Sequence, residues 1–359
     1  MRYLFFTNTP KHVHVYRHVV DRLLAAGHEV RVFARDYGCT VELADYFDLP
    51  YTVYGTCDTT KGSLFRELPR HYASIVRKAR AYDPDVVFGI SAYAAHAGAI
   101  TGADTVLVFD TEPTSLDHAV SRPFADAMLT PDSFEKDLGP RHYRFRGFME
   151  SAYLHPDVYE PTTDARAELG LDPDEPYVIL RFNAWGSHHD VGKSGFTDAQ
   201  KRELVERLGE HATVFVSDEA AARRTGVHAL DCHPAHIHAV LTEASLLVAD
   251  TQTMVTEAGL LGTPAIRSND FVGDDDMGNF RELERRGLVE NLVSFDDVLE
   301  RAVAVLTGEG TRSGEAERER YRRGLVDLSD VLTAVAETPT RPGRVEGLRP
   351  GTAAVPPRS

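Results

Sequence analysis

The segment TNTPKHVH, residues 7–14, carries the first group of side chains that could do chemistry. It follows an apolar run that predicts a strand and precedes a helical pattern, so His12 is expected at a helix N-terminus, where the dipole favours a neutral imidazole. Such an imidazole could act as a general base on a hydroxyl group, although a helix-capping or surface histidine has the same spacing. Asn8 and His14 are candidate nucleotide-sugar ligands. His12 and His14 lack a third ligand nearby, so we predict no metal.

The second segment is DTEP, residues 110–113, which closes another predicted strand. Carboxylates at the carboxyl edge of a sheet are well placed for acid/base work or for holding hydroxyl groups, which makes Asp110 and Glu112 candidate catalytic residues. Acidic residues before a proline also favour the N-terminus of a helix. Both interpretations stay open.

The third segment is RFNAWGSHHDVG, residues 181–192, after the first strand of the second half. Its density of polar and aromatic residues is unusual for a loop and indicates function. His189 is a candidate catalytic residue, and Asn183, Ser187 and His188 are candidate sugar-nucleotide ligands. An ordinary polar loop with Trp185 packed beneath it is the alternative.

The fourth segment is ADTQTMVTEAGLLGTPAI, residues 249–266. A strand ends in it and a helix is predicted to begin near Gln252 or Thr253, whose first turn offers backbone N–H groups and a positive dipole end to a phosphate. Glu257 lies four residues after Thr253 on the same helix face and could accept two ribose hydroxyls. Gln252, Thr253, Met254 and Glu257 are therefore predicted to bind a nucleotide. Taken alone, threonine followed by glutamate is also a common capping pattern.

Apolar runs alternate with helical patterns, which predicts an α/β fold of two Rossmann-like, doubly wound parallel-sheet domains that face each other across a cleft. The first domain is predicted over residues 1–155 and the second, nucleotide-binding domain over 175–310, with a linker over 156–174. A C-terminal helix is predicted over 311–337 and a disordered tail over 338–359, because the tail has no periodicity. Strands are predicted over 3–6, 29–35, 51–55, 85–91, 105–110, 127–131, 176–182, 212–217, 245–250 and 264–268, and helices over 40–48, 64–82, 93–100, 198–209, 235–244 and 253–261.

Composition narrows the classes of function. Fifty-five acidic against 39 basic residues give a net charge of −16, so no nucleic-acid partner is expected. No apolar stretch is long enough to span a membrane and the first residues do not form a signal peptide, so we expect a cytoplasmic protein; peripheral contact with a membrane stays open. Only six of the basic residues are lysine, and an excess of carboxylates with so few lysines suits a cytosol of high salt. We therefore expect a halophilic, archaeal protein rather than an ordinary acidic one.

Metal sites are not expected either. The three cysteines are far apart, with no zinc spacing and no disulfide framework. Three adjacent carboxylates in FVGDDDMGNF, residues 271–280, suit Mg²⁺ or Mn²⁺, but neighbouring side chains point in different directions. We predict no metal and no other cofactor.

Longer motifs carry a family resemblance. TMVTEAGLLGTPAI resembles the donor-nucleotide motif of GT-B glycosyltransferases, whose glutamate grips the nucleotide ribose, and KHVHVYRHVVDRLLAAGHEV resembles their first loop and helix. His12 stands fifteen residues before Gly27, as a candidate base does in the lipid II N-acetylglucosaminyl transferase group. Residues 1–305 more closely resemble domain-of-unknown-function family 354, on the motifs TNTPKHVH, GHEVRVFARDYG, RGFMESAYLHP, RFNAWGSHHDVG and FVGDDDMGNFRELERRGLV.

The resemblance implies a transferase that uses a nucleotide-diphosphate sugar, with UDP-sugars expected first, on an unknown acceptor in cell-surface glycan or glycoconjugate synthesis. UDP-N-acetylglucosamine 2-epimerases resemble the chain too, and Asp110, Glu112 and His189 compare with their acid and histidine groups. However, Ser91 stands where those epimerases have an aspartate. We therefore rank the transferase first, the epimerase second, and a nucleotide-sugar binding protein without catalysis third.

Overall fold

The computed structural model describes residues 1–57, 63–161, 163–182, 195–217, 222, 225–273, 276–309 and 314–351. The chain forms two compact units, Met1–Val158 with Leu325–Ser359 and Tyr159–Gly324. The C-terminal segment therefore belongs to the first unit rather than standing apart from it, and the predicted linker belongs largely to the second. No helix among the described residues is long and apolar enough to cross a membrane.

The first unit is a sheet of eight described strands covered by helices. Its strands are β1 Arg2–Thr7, β2 Glu29–Asp36, β3 Tyr51–Thr56, β4 Val86–Gly89, β5 Asp104–Val108, β6 Ala127–Pro131, β7 His142–Phe145 and β14 Leu348–Pro350. Its helices are α1 Pro10–Ala25, α2 Thr40–Tyr46, α3 Ser63–Tyr82, α4 Ala92–Thr101, α5 Ser115–Ser121, α6 Ser151–Leu154 and α14 Leu328–Glu337. The strand order is β14-β7-β6-β5-β4-β1-β2-β3, and every described pair is parallel except β14 with β7.

The second unit is a parallel sheet of six described strands in the order β10-β9-β8-β11-β12-β13. Its strands are β8 Tyr177–Arg181, β9 Thr213–Val216, β10 His228–Ala229, β11 Leu246–Ala249, β12 Ala265–Arg267 and β13 Glu290–Asn291. Its helices are α7 Ala165–Leu169, α8 Asp198–Gly209, α9 Ile237–Glu243, α10 Thr253–Leu261, α11 Gly278–Arg285, α12 Phe295–Leu306 and α13 Glu315–Arg323.

Local sequence explains the helix that opens the first unit. Pro10 occupies the first turn of α1, where its fixed φ fits and its missing N–H costs nothing. Val15 and Val19 are fully buried one turn apart, so this face packs into the core. The chain leaves α1 through Gly27 at φ +82°, a left-handed conformation that glycine adopts without a steric penalty.

The predicted C-terminal helix is two helices. Gly324 ends α13, and Asp327 caps α14 by accepting the backbone N–H groups of Ser329 at 2.8 Å and Asp330 at 3.3 Å. The prediction of one helix over 311–337 is wrong because one helix ends at Gly324 and a second begins after the Asp327 cap. The break also divides the segment between the two units.

The predicted disordered tail is wrong for residues 338–351. Strand β14 pairs with β7, where Leu348 lies opposite Phe145, and the Arg349 guanidinium contacts Asp132 Oδ1 at 2.7 Å. Arg144, which is buried, donates to the carbonyl oxygen of Gly351 at 3.3 Å. Three residues of edge strand are too few to leave a periodic pattern, so composition alone indicated disorder.

Ending the chain after Glu337 is expected to lower the free energy of unfolding of the first unit by about 1–3 kcal/mol, because buried groups lose their hydrogen-bond partners. Differential scanning calorimetry measures this. A chain that ends after Gly351 keeps every contact of β14 described above and is the matched control. Equal melting temperatures for the two truncations would contradict the role of β14.

Candidate functional site

Asn8 ties together the carboxyl ends of four neighbouring strands in the first unit. Its backbone N–H donates to His12 Nδ1 at 3.1 Å, and its side-chain amide donates to Ser91 Oγ at 2.9 Å. Its side-chain oxygen accepts from the Tyr54 hydroxyl at 2.9 Å, and its carbonyl accepts from Arg35 Nε at 3.0 Å. Asn8 is buried, so it serves as the scaffold of this edge.

The hydrogen bond from Asn8 fixes which nitrogen of His12 carries the proton. A backbone N–H can only donate, so Nδ1 is the acceptor and the neutral ring carries its hydrogen on Nε2. Burial, together with the nearby Lys11 charge, lowers the pKa of His12 to about 3, so the ring is neutral at physiological pH. A general base needs a lone pair that faces the substrate. In this tautomer His12 offers an N–H instead, which weighs against the base role predicted from the sequence.

Lys11 joins two carboxylates from distant parts of the first unit. Its Nζ lies 2.5 Å from Asp110 Oδ2 and 2.6 Å from Glu150 Oε1. The side chains of Lys11, Asp110 and Glu150 are 15%, 14% and 2% exposed. We name these three residues the Lys11 cluster. It places one ammonium and two carboxyl groups beside His12 at the carboxyl edge of the sheet.

The two carboxyl groups of the Lys11 cluster have pKa values shifted in opposite directions. Burial favours the neutral form of Asp110, but the Lys11 ammonium and the Thr111 hydroxyl, 2.9 Å away, hold the pKa of Asp110 below its usual value. Burial raises the pKa of Glu150, Lys11 offsets this only in part, and the Asp110 charge raises it further. Burial also works against the charge of Lys11, yet the two carboxyl groups raise the pKa of Lys11 above its usual range. Carboxyl groups separated in this way are the usual arrangement for an acid and a base.

A cavity opens at the same edge of the sheet, beyond β2 and β3. Its volume is about 290 Å³. Its lining comes from the ends of these strands and from α3: Asp36, Tyr37, Gly38, Thr56, Cys57, Arg66 and Glu67. A cavity at the carboxyl ends of parallel strands is where such sheets bind ligands.

Glu112, predicted beside Asp110, has its described contacts elsewhere. Its carbonyl oxygen accepts from Lys136 Nζ at 2.6 Å, and its Oε1 accepts the backbone N–H of Glu135 at 3.4 Å. These partners follow β6. The contacts therefore anchor the loop after β5, and none of them joins Glu112 to the Lys11 cluster.

His14 lies inside the protein. Its ring is 5.6 Å from the Phe47 ring and 5.2 Å from the Tyr153 ring, and the residue is 4% exposed. It lies on the face of α1 that packs against its neighbours. This position indicates a packing role, and the nucleotide-sugar contact predicted for His14 stays a prediction.

Residues 183–194, which contain most of the predicted polar loop, lie outside the described residues. The predictions for Asn183, Ser187, His188 and His189 therefore stay predictions. Strand β8, which leads into this loop, ends at Arg181.

The start of α10 has the features expected of a phosphate site. Gln252 is the N-cap residue and its side chain makes no capping hydrogen bond, so it does not occupy the first-turn N–H groups. Thr251 Oγ1, just before the helix, is buried without a hydrogen-bond partner among the described residues. Thr253 and Met254 are partly exposed beside it. This turn offers backbone and hydroxyl donors to an anion.

Glu257 forms a hydrogen bond with His238, a residue that was not predicted from the sequence. It is 6% exposed, and its Oε1 accepts from His238 Nε2 of α9 at 3.2 Å. The bond fixes the orientation of the carboxylate one turn inside α10. Binding of ribose by Glu257 stays a prediction.

Asp276 is committed to an ion pair rather than to a cation site. The buried Arg267 guanidinium donates to Asp276 Oδ2 at 2.6 Å and Oδ1 at 3.1 Å, and stacks on the Phe280 ring at 3.8 Å. The pair anchors the loop after β12. Asp274 and Asp275 lie outside the described residues, and no group of three metal-binding side chains occurs in the part of the chain that is described.

Lys11 and Glu150 are not among the site residues predicted from the sequence. Lys11 is one of six lysines in the chain and adjoins His12, and this rarity was the available signal. Glu150 is one of 55 acidic residues, and nothing local distinguishes it.

Comparisons with known proteins agree with the fold. A family model described as "Protein of unknown function (DUF354)" matches residues 3–278, and no curated protein matches the chain. The UDP-GlcNAc 2-epimerase of Neisseria meningitidis, solved bound to UDP-GlcNAc, is 11% identical with a TM-score of 0.65, over 94% of this chain and 100% of that one. The UDP-GlcNAc 2-epimerase of Methanocaldococcus jannaschii is 12% identical with a TM-score of 0.64, over 94% and 100%.

A glycosyltransferase shares the same fold. The glycosyltransferase VinC, solved in complex with dTDP, is 14% identical with a TM-score of 0.60, over 95% of this chain and 100% of that one. These similarities confirm the predicted fold of two Rossmann-like parallel-sheet domains, the GT-B fold.

Proposed function

The chain belongs to the DUF354 family, which is described as a family of proteins of unknown function and therefore supplies no activity. From the residues of the chain we propose that the protein transfers a sugar from a nucleotide-diphosphate donor to an acceptor hydroxyl. The observation that carries the proposal is the Lys11 cluster, which keeps an ionised, partly exposed carboxylate at the carboxyl edge of the first sheet. A UDP-sugar is the proposed donor, and cell-surface glycan or glycoconjugate synthesis is the proposed setting. The enzyme would work in the cytoplasm and need no metal.

In the second unit, the diphosphate of the donor would bind the first turn of α10. Backbone N–H groups and the Thr251 hydroxyl would donate to its oxygens, and the helix dipole would favour its charge. Glu257, oriented by His238, would accept hydrogen bonds from the ribose hydroxyls. The same N–H groups would stabilise the diphosphate as it leaves, the step in which negative charge develops.

In the first unit, Asp110 is the proposed proton acceptor. Its depressed pKa keeps it ionised at neutral pH, and Lys11 fixes one of its oxygens. The acceptor hydroxyl gives its proton to Asp110 as its oxygen forms the new bond to the anomeric carbon, and the bond from that carbon to the diphosphate breaks. His12 would orient the acceptor oxygen through its Nε2 hydrogen.

A sugar 2-epimerase is the second candidate, and one observation favours it. It ranks below the transferase because Ser91 stands where the epimerases have an aspartate, and the Ser91 hydroxyl accepts a hydrogen bond from Asn8. Glu150, however, brings a second carboxyl group within 2.6 Å of the ammonium that binds Asp110. An acid and a base are what epimerisation at a sugar carbon requires.

Glu257→Gln is expected to weaken binding of UDP and UDP-sugars by about 1–3 kcal/mol, because the ribose loses a charged acceptor. Glutamine can still accept from His238, so the unliganded melting temperature should change little. Ligand-induced thermal shifts measure the effect, since a ligand that binds only the folded state stabilises it. Glu284→Gln, at an exposed position of α11, is the matched control. Equal shifts in both variants would remove Glu257 from the nucleotide site.

A further inference from the structure

Glu150 contains a polar atom that the described structure leaves unsatisfied. The residue is 2% exposed, its Oε1 lies 2.6 Å from Lys11 Nζ, and its Oε2 is buried without a hydrogen-bond partner among the described residues. An ionised carboxylate with one oxygen buried and unpaired carries a large desolvation cost. A proton on Oε2 removes the charge and leaves Oε1 able to accept from Lys11.

The charges around Glu150 lead to the same state. Lys11 on α1 and Asp110 after β5 are the charged groups that act on it. Helix α6, which Glu150 precedes, packs against α1 and α14. The His14 ring of α1 contacts the Tyr153 ring of α6. The acidic groups at the start of α14 are paired with the Arg22 guanidinium of α1: Asp327 at 3.4 Å and Asp330 at 2.7 Å.

One ammonium cannot neutralise two buried carboxylates, so the cluster is electrically balanced only when one of them is protonated. Asp110 is the more exposed of the two and accepts a second hydrogen bond, from the Thr111 hydroxyl at 2.9 Å. Both features stabilise its charge. The geometry therefore leaves the proton on Glu150.

We propose that Glu150 carries a proton at neutral pH and is a positioning residue. Because the protonated Glu150 is neutral, the Lys11 ammonium neutralises the Asp110 carboxylate alone and keeps Asp110 ionised for proton transfer. Proton loss from Glu150 at higher pH would divide Lys11 between two carboxylates and raise the proton affinity of Asp110. The proton goes to solvent in that step, and no other reactant is needed. The link to catalysis rests on the proposed function, but the protonation state does not.

Infrared difference spectroscopy tests the protonation state directly. Wild type at neutral pH should show the C=O stretching band of a protonated buried carboxyl group, and Glu150→Gln should lack it. Glu346→Gln removes an exposed carboxylate of the same unit and is the control, in which the band should persist. The same band in Glu150→Gln as in wild type would overturn the proposal.

The pH dependence of the melting temperature gives a second readout. A Glu150 that stayed ionised at all pH values would not produce it. The folded-state pKa of Glu150 lies above its unfolded value, so its contribution is present at low pH and is lost as the pH rises through the folded pKa. Glu150→Gln imitates the protonated group and should keep the neutral-pH melting temperature of wild type while losing that alkaline decline. Glu150→Leu removes the acceptor of Lys11 and should melt lower. Equal destabilisation by both substitutions would show an ion pair and overturn the proposal.

When turnover is assayed, the pH profile connects the two claims. Ionisation of Glu150 changes the proton affinity of Asp110 but leaves Asp110 ionised, so kcat/KM of wild type should change on the alkaline side as Glu150 titrates, and that of Glu150→Gln should not. An unchanged alkaline limb in Glu150→Gln would refute the positioning role. A missing infrared band would refute the protonated state, whereas absence of turnover with all nucleotide sugars would count only against the proposed function.

Discussion

Lys11→Met is expected to destabilise the first unit by about 3–5 kcal/mol at neutral pH, because it removes one partner of a buried ion pair. Methionine keeps the apolar stem but leaves Asp110 and Glu150 buried without their cation. Chemical denaturation, followed by hydrogen exchange in peptides of the first unit, measures the loss. Peptides of the second unit should change little.

The destabilisation should depend on pH with a defined sign. In wild type the pKa of Asp110 is depressed, so its stabilising contribution is present above the unfolded pKa of about 3.9 and is lost as the pH falls through the folded pKa. In Lys11→Met the Asp110 carboxylate, which has lost its cation, can become neutral by taking up a proton. The difference in free energy of unfolding between Lys11→Met and wild type should therefore become smaller as the pH is lowered.

Two further variants test the cause. Lys136→Met removes a lysine of the same unit whose Nζ donates to the Glu112 carbonyl and the Ser115 hydroxyl, and it should cost much less. Adding Asp110→Asn to Lys11→Met should recover part of the loss, because it removes the carboxylate charge that Lys11 no longer pairs. If Lys136→Met is as harmful as Lys11→Met, the cluster has no special energetic role.

Asp110→Asn is expected to reduce turnover by about 10²–10⁴-fold, the usual contribution of a positioned proton acceptor. Lys11 keeps Glu150 as a partner in this variant, so the fold should survive. Binding of UDP to the second unit should also survive. Steady-state kinetics with a UDP-sugar and its acceptor gives the turnover, and thermal shifts give the binding. Turnover within a few-fold of wild type would exclude Asp110 as the acceptor of the proton.

His12→Asn separates the two roles considered for His12 in the same assay. Asparagine can donate a hydrogen bond but cannot act as a base. A donor role predicts a modest loss, on the order of tenfold, because orientation is partly kept. A loss as large as that of Asp110→Asn would restore the base role predicted from the sequence.

Much of the fold could be predicted because its elements are regular. Strand β6 spans residues 127–131 and α10 spans 253–261, as their apolar patterns predict. Strand β7 and strand β14 were missed because they are short, and β14 is held by its pairing with β7. Such pairing joins segments far apart in sequence, and no local pattern records it.

The site could be predicted only where strand ends reveal it. His12 and Asp110 follow predicted strands, and both lie at the carboxyl edge of the first sheet. Glu150 lies in a turn before a four-residue helix, and only the folded chain brings it to Lys11. The tautomer of His12 could not be predicted from the sequence, because it depends on a hydrogen bond from the Asn8 backbone.

The most direct test of sugar transfer is to incubate the protein with UDP-sugars in D₂O, with and without a cell extract that supplies acceptors, and to follow products by NMR and mass spectrometry. A transferase is predicted to release UDP only when acceptor is present and to leave the sugar C2 without deuterium. Asp110→Asn should abolish that release. Deuterium at C2 without acceptor would contradict the transferase and assign the epimerase reaction.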